Sequence, residues 1–449
     1  MKKRSLPRLR LVPLLVLLVA VITVPAAQGE TATVVQVTDD DDPDAETSIA
    51  VNPKNSQNLV AGWITRGADP TCGVGVSFDG GLTWSVGVIP GLTPATGGSF
   101  DLGTDPSVVF DKNGNAYYTC LAFNTFPPGT GSSGTIYVSK STDGGVTWGS
   151  PVAAIDPESL EGQHLGDFVD HQFITANPVT GAIYLTETDF NAFGKPMILF
   201  TQSKDGNRTW SKPVQINDSG GNASFQDSFS AVGKDRNTIY VSFGAFSNTG
   251  LSNWNRIYLA KSTDGGASFS RPQLLREITP LPDPLPNAPW RSDNNLWVAV
   301  DRAANQIYVN YADYNAGDAD IKLMRVRDLG SRFEVQGITR VNNDGPGSDQ
   351  FFPFVTLAGG RVDVCFQDRR YAPGNALIFT TCAFSIDGGL TFANQQVTTT
   401  GFDASNNDFI GDYNWQFSTA DGVAPIFVGD AFAGADRTGQ EVFVARVTP

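Results

Sequence analysis

The chain has 449 residues, 41% apolar and 11% aromatic, with 46 acidic against 31 basic side chains and a formal net charge of −15. That acidity argues against nucleic acid and anionic membrane surfaces as partners, because both require a basic face. It also makes a highly anionic polymer an awkward substrate unless local arginines offset the field.

The chain opens with Lys2, Lys3, Arg4, Arg8 and Arg10, followed by an apolar run from Leu11 to Val24 and the small-residue segment Pro25-Ala26-Ala27-Gln28-Gly29. A basic start, a short apolar core and small residues at its exit describe a secretory signal peptide, too short for a stable membrane span. Residues 1–29 are therefore expected to be removed on export, taking the formal charge to −20. Residues 30–449 read as one secreted, monomeric domain with no membrane span. In an exported chain the four cysteines are disulfide candidates. Cys365 and Cys382 fall on neighbouring strands of one hairpin, and Cys72 and Cys120 near the same face of adjacent repeats. The expected pairs are Cys72–Cys120 and Cys365–Cys382.

An eight-residue turn recurs along the chain. It runs from Ser77 to Trp84, Ser141 to Trp148, Ser203 to Trp210, Ser262 to Phe269 and Ser385 to Phe392, with the pattern Ser-x-Asp-Gly-x-x-Thr/Ser-aromatic. The Asp side chain can accept bonds from N–H groups just ahead of it, Gly supplies positive φ, and the aromatic anchors the turn. Asp79, Asp143, Asp205, Asp264 and Asp387 are spaced by 64, 62, 59 and 123 residues. The double interval contains a decayed copy, Arg327 to Phe333, centred on Asp328. A repeat of about sixty residues holds four strands, which is one propeller blade. These turns resemble Asp-boxes, the signature of sialidase-like β-propellers, where they are structural. The resemblance implies an all-β propeller and leaves the chemistry open.

Each repeat begins with an acidic residue leading into an apolar strand: Glu46, Asp105, Asp170, Asp227, Asp293, Asp349 and Asp412. A turn rich in Asn, Gly, Asp or Pro and a second strand follow, as in an antiparallel meander. Seven openings predict seven four-stranded blades; the alternative is the six-bladed ring of classical sialidases. The seventh unit has only three strands, so Thr31 to Thr38 is expected to close it as an outer strand and leave no open edge.

Strand parity places the repeated turns on one face and the strand starts on the other. That second face, around the channel mouth, is where the resemblance implies a site. The sialidase family holds a substrate carboxylate with three arginines and uses a Tyr nucleophile paired with a Glu, and an Asp acid/base. Bidentate Arg–carboxylate geometry suits the first task. The candidates for substrate binding are Arg66, Arg291, Arg369, Arg370 and Arg437, with Trp290 and Asp368 beside them; Tyr413 or Tyr371 is the candidate nucleophile, and Glu187 and Asp189 the carboxylates. The family's Arg-Ile-Pro motif is absent, and Glu46-Thr47-Ser48-Ile49 stands in its place. The Asp368-Arg369-Arg370 run reads more readily as a salt-bridge network between blades than as a substrate clamp. No cofactor is required, although the oxygen-rich run Asp39 to Asp42 could ligate a structural Ca²⁺. Two histidines, His164 and His171, do not describe a zinc site.

The runs FQDRRYAPGN (Phe366 to Asn375), SIDGGLTF and FIGDYNW (Phe409 to Trp415) resemble an exported bacterial group of sialidase-like, Asp-box repeat proteins. Three functions follow as expectations: a glycan-directed hydrolase or lyase; a non-catalytic propeller binding a glycan or surface glycoprotein through Trp290, Tyr314, Tyr371 and Trp415; or a scaffold with Ca²⁺ in its channel.

Overall fold

The structure, a computed structural model, describes residues 32–449 except 41, 126–132, 156–167, 191–195, 218–223, 248–252 and 431–438. The expected signal peptide lies outside the described residues, as do His164 and Arg437. No helix among the described residues is long and apolar enough to cross a membrane.

Thr31–Pro449 forms one compact unit built from seven four-stranded antiparallel sheets. This is a seven-bladed β-propeller, and the six-bladed alternative falls. In blades one to six the strands follow chain order from the channel outwards. The innermost strands are Asp44–Asn52, Leu102–Phe110, Phe168–Ala176, Phe225–Val232, Leu296–Asp301 and Gln350–Ala358. Blade seven has Gln416–Thr419, Gly422–Asp430 and Gln440–Arg446, and its outer strand is Thr33–Gln36. That strand pairs antiparallel with Gln440–Arg446, Thr33 opposite Arg446 and Gln36 opposite Phe443. The ring closes as the sequence predicts, through a shorter strand.

Apolar residues on both faces of each blade pack against the next. Ile183 and Leu185 of blade three, for example, share a cluster with Tyr117 and Leu121 of blade two. The Ser-x-Asp-Gly turns clamp these seams at one end. In the second copy Asp143 Oδ1 accepts from Ser141 Oγ at 2.7 Å and Thr147 N at 2.9 Å, while Ser141 Oγ accepts from Gly145 N at 2.8 Å. Asn58 of the preceding blade donates to Gly144 O at 2.9 Å. Gly145 has φ +103°, and a Cβ there would stand 2.5 Å from Val60, so the blade seam requires glycine. In the third copy Asn207 takes this place at φ +74° and donates to Val138 O of the preceding blade. Asp328 differs: it accepts Lys261 Nζ and Tyr240 Oη from the blade before, plus Gly330 N. The decayed turn keeps its seam contact by an ion pair.

Both predicted disulfides are present. Cys72–Cys120 joins blade one to blade two, and Cys365–Cys382 staples neighbouring strands of blade six.

At mid-channel each inner strand turns one residue to the axis. Blades three to seven contribute Phe173, Phe229, Trp297, Phe354 and Trp415, with centroid separations of 4.8 Å for Phe229–Trp297, 4.3 Å for Trp297–Phe354 and 4.9 Å for Phe354–Trp415. Phe173 reaches across to Trp415 at 6.0 Å. Ser48 and Ser107 hold this level in blades one and two, and their hydroxyls accept from Val108 N and Ile174 N of the next blade. The aromatic plug divides the channel. On the turn side lies an apolar vestibule of about 580 Å³, lined by all seven inner strands. On the other side lies a polar mouth.

Candidate functional site

The mouth is built by a repeated irregularity. In five inner strands, pairing with the second strand breaks between Ala45 and Ser48, Thr104 and Ser107, Asp170 and Phe173, Gln226 and Phe229, and Phe351 and Phe354. Two residues oppose one there, as in a β-bulge. The first residue of each pair has positive φ: Glu46 52°, Asp105 54°, His171 50°, Asp227 56° and Phe352 48°. For a side chain with a Cβ this region costs on the order of 1–2 kcal/mol. Strain is therefore concentrated at one level of the ring, and four of the five strained residues titrate. At the matching positions, two residues before Trp297 and Trp415, stand Asn295 and Tyr413.

The side chains converge. His171 Nδ1 lies 2.7 Å from Asp227 Oδ1, and its Nε2 lies 3.8 Å from Asp170 and 3.9 Å from Asp412. Arg291 grips Asp412 through Nε at 2.8 Å and through a second bond from Nη2. Trp254, fully buried, donates to Asp227 from behind. Asn295 Nδ2 donates to Asp412 O, and Gln172 Nε2 to Asp105 O. Tyr413 is buried with its hydroxyl donating to Pro106 O at 3.3 Å and its ring 5.1 Å from Phe173, just above the plug.

Burial of so many acids shifts their titration. Glu46 is pushed well above the carboxylate range by burial, then by the charges of Asp105 and Asp412. Burial likewise raises Asp105 and lifts Asp170 to about 7, partly offset in each by His171. Asp293 is raised well above its ordinary value by burial and by Asp227 and Asp412. Burial opposes a charged imidazole, but Asp170 and Asp227 outweigh it and hold His171 well above its ordinary value. Burial and the charges of Glu46, Asp105 and Asp412 push Tyr413 far above the phenol range, so its hydroxyl stays protonated.

The rim is set by Phe409. Arg66 and Arg291 both stack on its ring, at 4.8 and 5.1 Å from the centroid, with 31% and 51% of their side chains exposed. Arg66 also donates to Phe409 O. Two guanidiniums around an aromatic face make a surface suited to a polar ring-shaped ligand.

Of the residues singled out in the sequence, Arg66, Arg291 and Tyr413 are at this mouth. The others lie elsewhere. Arg369 is fully buried beside Asp349, donating to Pro286 O and Asn287 O, and stacks on the buried Trp290 at 5.1 Å. Arg370 pairs with Asp368 at 2.6 Å and with Asp344. Asp368 is buried, accepting also from Thr381 and Gln350. Glu187 and Asp189 are buried on the second strand of blade three, and burial together with Asp189 raises Glu187 well above its ordinary value. Asp349 has moved out of the acidic ring to serve Arg369, and Phe352 occupies the strained position in its blade. Of the aromatics, Trp415 is in the plug and Tyr371 is exposed beside Phe379 at 5.4 Å. In the run Asp39 to Asp42, the Asp42 N–H bonds Asp40 Oδ1 at 3.0 Å, and Asp41 lies outside the described residues.

Asp170, His171, Asp227, Asp293 and Phe409 were not assigned chemistry from sequence. The available signal was an acid or His two residues before a Phe or Trp, as in His171-Gln172-Phe173 and Asp227-Ser228-Phe229.

No family model matches the chain. A sialidase of Micromonospora viridifaciens is 27% identical over 358 residues, covering 72% of this chain and 49% of that protein. The chain thus spans about half the length of this relative. Among solved structures, an ulvan lyase, a polysaccharide lyase, superposes with a TM-score of 0.53 at 12% identity, covering 91% of this chain and 94% of the lyase. The NanB sialidase of Streptococcus pneumoniae gives 0.50 at 11% identity, covering 77% and 68%. Those identities show a shared propeller fold.

Proposed function

We propose that the chain is an exported, sialidase-like Asp-box propeller that acts on extracellular glycans as a glycoside hydrolase, at the channel mouth opposite the Asp-boxes. The observation that carries this reading is the set of bulged, strained residues Glu46, Asp105, His171 and Asp227, which point titratable groups at one spot. Strain of this kind persists where the surroundings over-determine it, and it clusters at functional sites. Hydrolysis of a glycosidic bond needs a proton donor for the leaving oxygen and a carboxylate opposite. Asp170, with a quarter of its side chain exposed, is the proton donor, and Asp412, ion-paired with Arg291 and like Asp170 within 4 Å of His171 Nε2, is the carboxylate. Arg66, Arg291 and Phe409 hold the sugar. Tyr413 backs the acids from within the wall. The similarity to a sialidase and the two disulfides support a secreted, carbohydrate-directed protein.

The acidic mouth disfavours a strongly anionic sugar, so neutral or weakly charged glycans fit better than sialic acid. A panel of aryl glycosides, sialosides and polysaccharides tests the reading. Asp170→Asn should lower turnover of the accepted substrate by about 10²–10⁴-fold, and Arg291→Ala should raise KM. Absence of turnover across the panel would remove the hydrolase. A glycan array would then test the second reading, a binding propeller, which the Arg66–Phe409–Arg291 rim favours.

A further inference from the structure

Six carboxylates, those of Glu46, Asp105, Asp170, Asp227, Asp293 and Asp412, gather at the mouth around one imidazole and one guanidinium. The guanidinium is already committed to Asp412. His171, Asp227 and Asp293 each place one ligand atom so that all three lie within 4.8 Å of one another. Some point is then within about 2.8 Å of all three, and a closure of roughly 0.6–0.8 Å by side-chain rotation would bring that to bonding range. A second observation points the same way. Glu46, almost wholly buried, leaves Oε2 with no hydrogen-bond partner, and the groups acting on it most strongly are Asp105, Asp412 and His171. Asn295, equally buried, bonds Asp412 O through its amide nitrogen and leaves its Oδ1 without a partner. A buried polar atom left without a hydrogen-bond partner costs about 1–3 kcal/mol. Two of them at one acidic spot are explained by a cation they can share.

We infer that the channel mouth binds a divalent cation through His171, Asp227 and Asp293, with Glu46 and Asn295 supplying further oxygens. The donor set selects among cations. Ca²⁺ and Mg²⁺ take all-oxygen shells, whereas an imidazole among carboxylates suits a borderline first-row ion, Mn²⁺ or Zn²⁺. Trp254 on Asp227 provides the outer hydrogen bond that orients a ligating carboxylate. The bulges matter here too, because the left-handed backbone at His171 and Asp227 is what turns both side chains to the axis. The inference goes beyond the glycan reading and does not need it.

The competing account is that protonated His171 is itself the counter-cation and no metal enters. Calorimetric titration of the chelator-treated protein with Mn²⁺, Zn²⁺, Ca²⁺ and Mg²⁺ in turn, at neutral pH, separates the two. The expected result is one site per chain for Mn²⁺ or Zn²⁺, at least tenfold tighter than for Ca²⁺. Asp293→Asn and Glu46→Gln, each shown to be folded by near-UV circular dichroism, should weaken it more than tenfold. Asp143→Asn, in a repeated turn on the opposite face, should leave it unchanged. No saturable binding of any of the four ions at 1 mM (about −4 kcal/mol) would overturn the inference. So would binding that survives both mouth substitutions. Since the titration contains no glycan, its failure is distinct from a failure of the proposed activity.

Discussion

Replacing Trp297 by Ala should measurably loosen the whole ring. Its indole is 1% exposed and touches the aromatic rings of four other blades: Phe173 at 4.7 Å, Phe229 at 4.8 Å, Phe354 at 4.3 Å and Trp415 at 5.7 Å. A buried Trp hides roughly 250 Å², worth about 6 kcal/mol at 25 cal/mol/Å². Alanine keeps a little of that, and Trp→Ala changes in cores cost about 3–5 kcal/mol. Unfolding entropy near 2.1 cal/mol/K per residue gives roughly 0.9 kcal/mol/K for a domain of about 420 residues. The expected drop in Tm is therefore about 3–6 °C. Trp297→Phe, which retains the ring against Phe354, should lose roughly a third of that. Differential scanning calorimetry at pH 7 is the measurement. An Ala variant melting within 1 °C of the parent would refute the claim that the plug ties the blades together.

Three further outcomes follow. By the chain-entropy argument, replacing Cys72 and Cys120 by Ser, which opens a loop of 48 residues, should cost about 4 kcal/mol, against about 3 kcal/mol for Cys365 and Cys382 with a separation of 17; paired thermal melts give the order. Arg369→Ala strips a buried cation from Asp349 and from the carbonyls of Pro286 and Asn287, so it should lower stability by about 3–5 kcal/mol. Arg291→Ala also unpairs a buried carboxylate, Asp412, but its own side chain is half exposed, so it should cost less than Arg369→Ala in the same denaturant titration. Hydroxyl and N–H donors hold Asp205 and Asp264 near 2, below the ordinary value of 3.8. A carboxylate depressed in the folded state contributes stability that is present above pH 3.8 and lost as pH falls towards 2. The Asp205→Asn/Asp264→Asn variant should therefore show a shallower loss of Tm between pH 4 and pH 2, and an unchanged slope would contradict this.

The architecture was readable because it repeats. Hairpin chemistry at Asp143 or Asp264 depends on neighbours within eight residues, so local sequence carries it, and its spacing counts the blades. The closing strand and both disulfides followed from that count. The mouth depended on something sequence does not display. A positive φ at Glu46 or Phe352 has no composition signal, because residues other than Gly, Asn, Asp and His seldom take it. One extra residue in a strand moves every side chain before it to the other face, and in blade three the strained position falls on His171, with the acid Asp170 one residue before it. Blade six shows the limit of reading by analogy. Asp349 matches the acidic pattern, but Arg369 captures it and the ring position passes to Phe352. Arg369 and Arg370 attracted attention as cations in a loop, and burial made them braces.

The register of the closing strand has a mechanical consequence. Thr33 lies opposite Arg446, so the two chain ends leave the seam side by side and in the same direction. Tension applied between them would open the four pairs one after another, as a zipper is drawn, instead of loading all of them in shear. The propeller would then yield first at this blade under force, while Cys72–Cys120 keeps blades one and two joined.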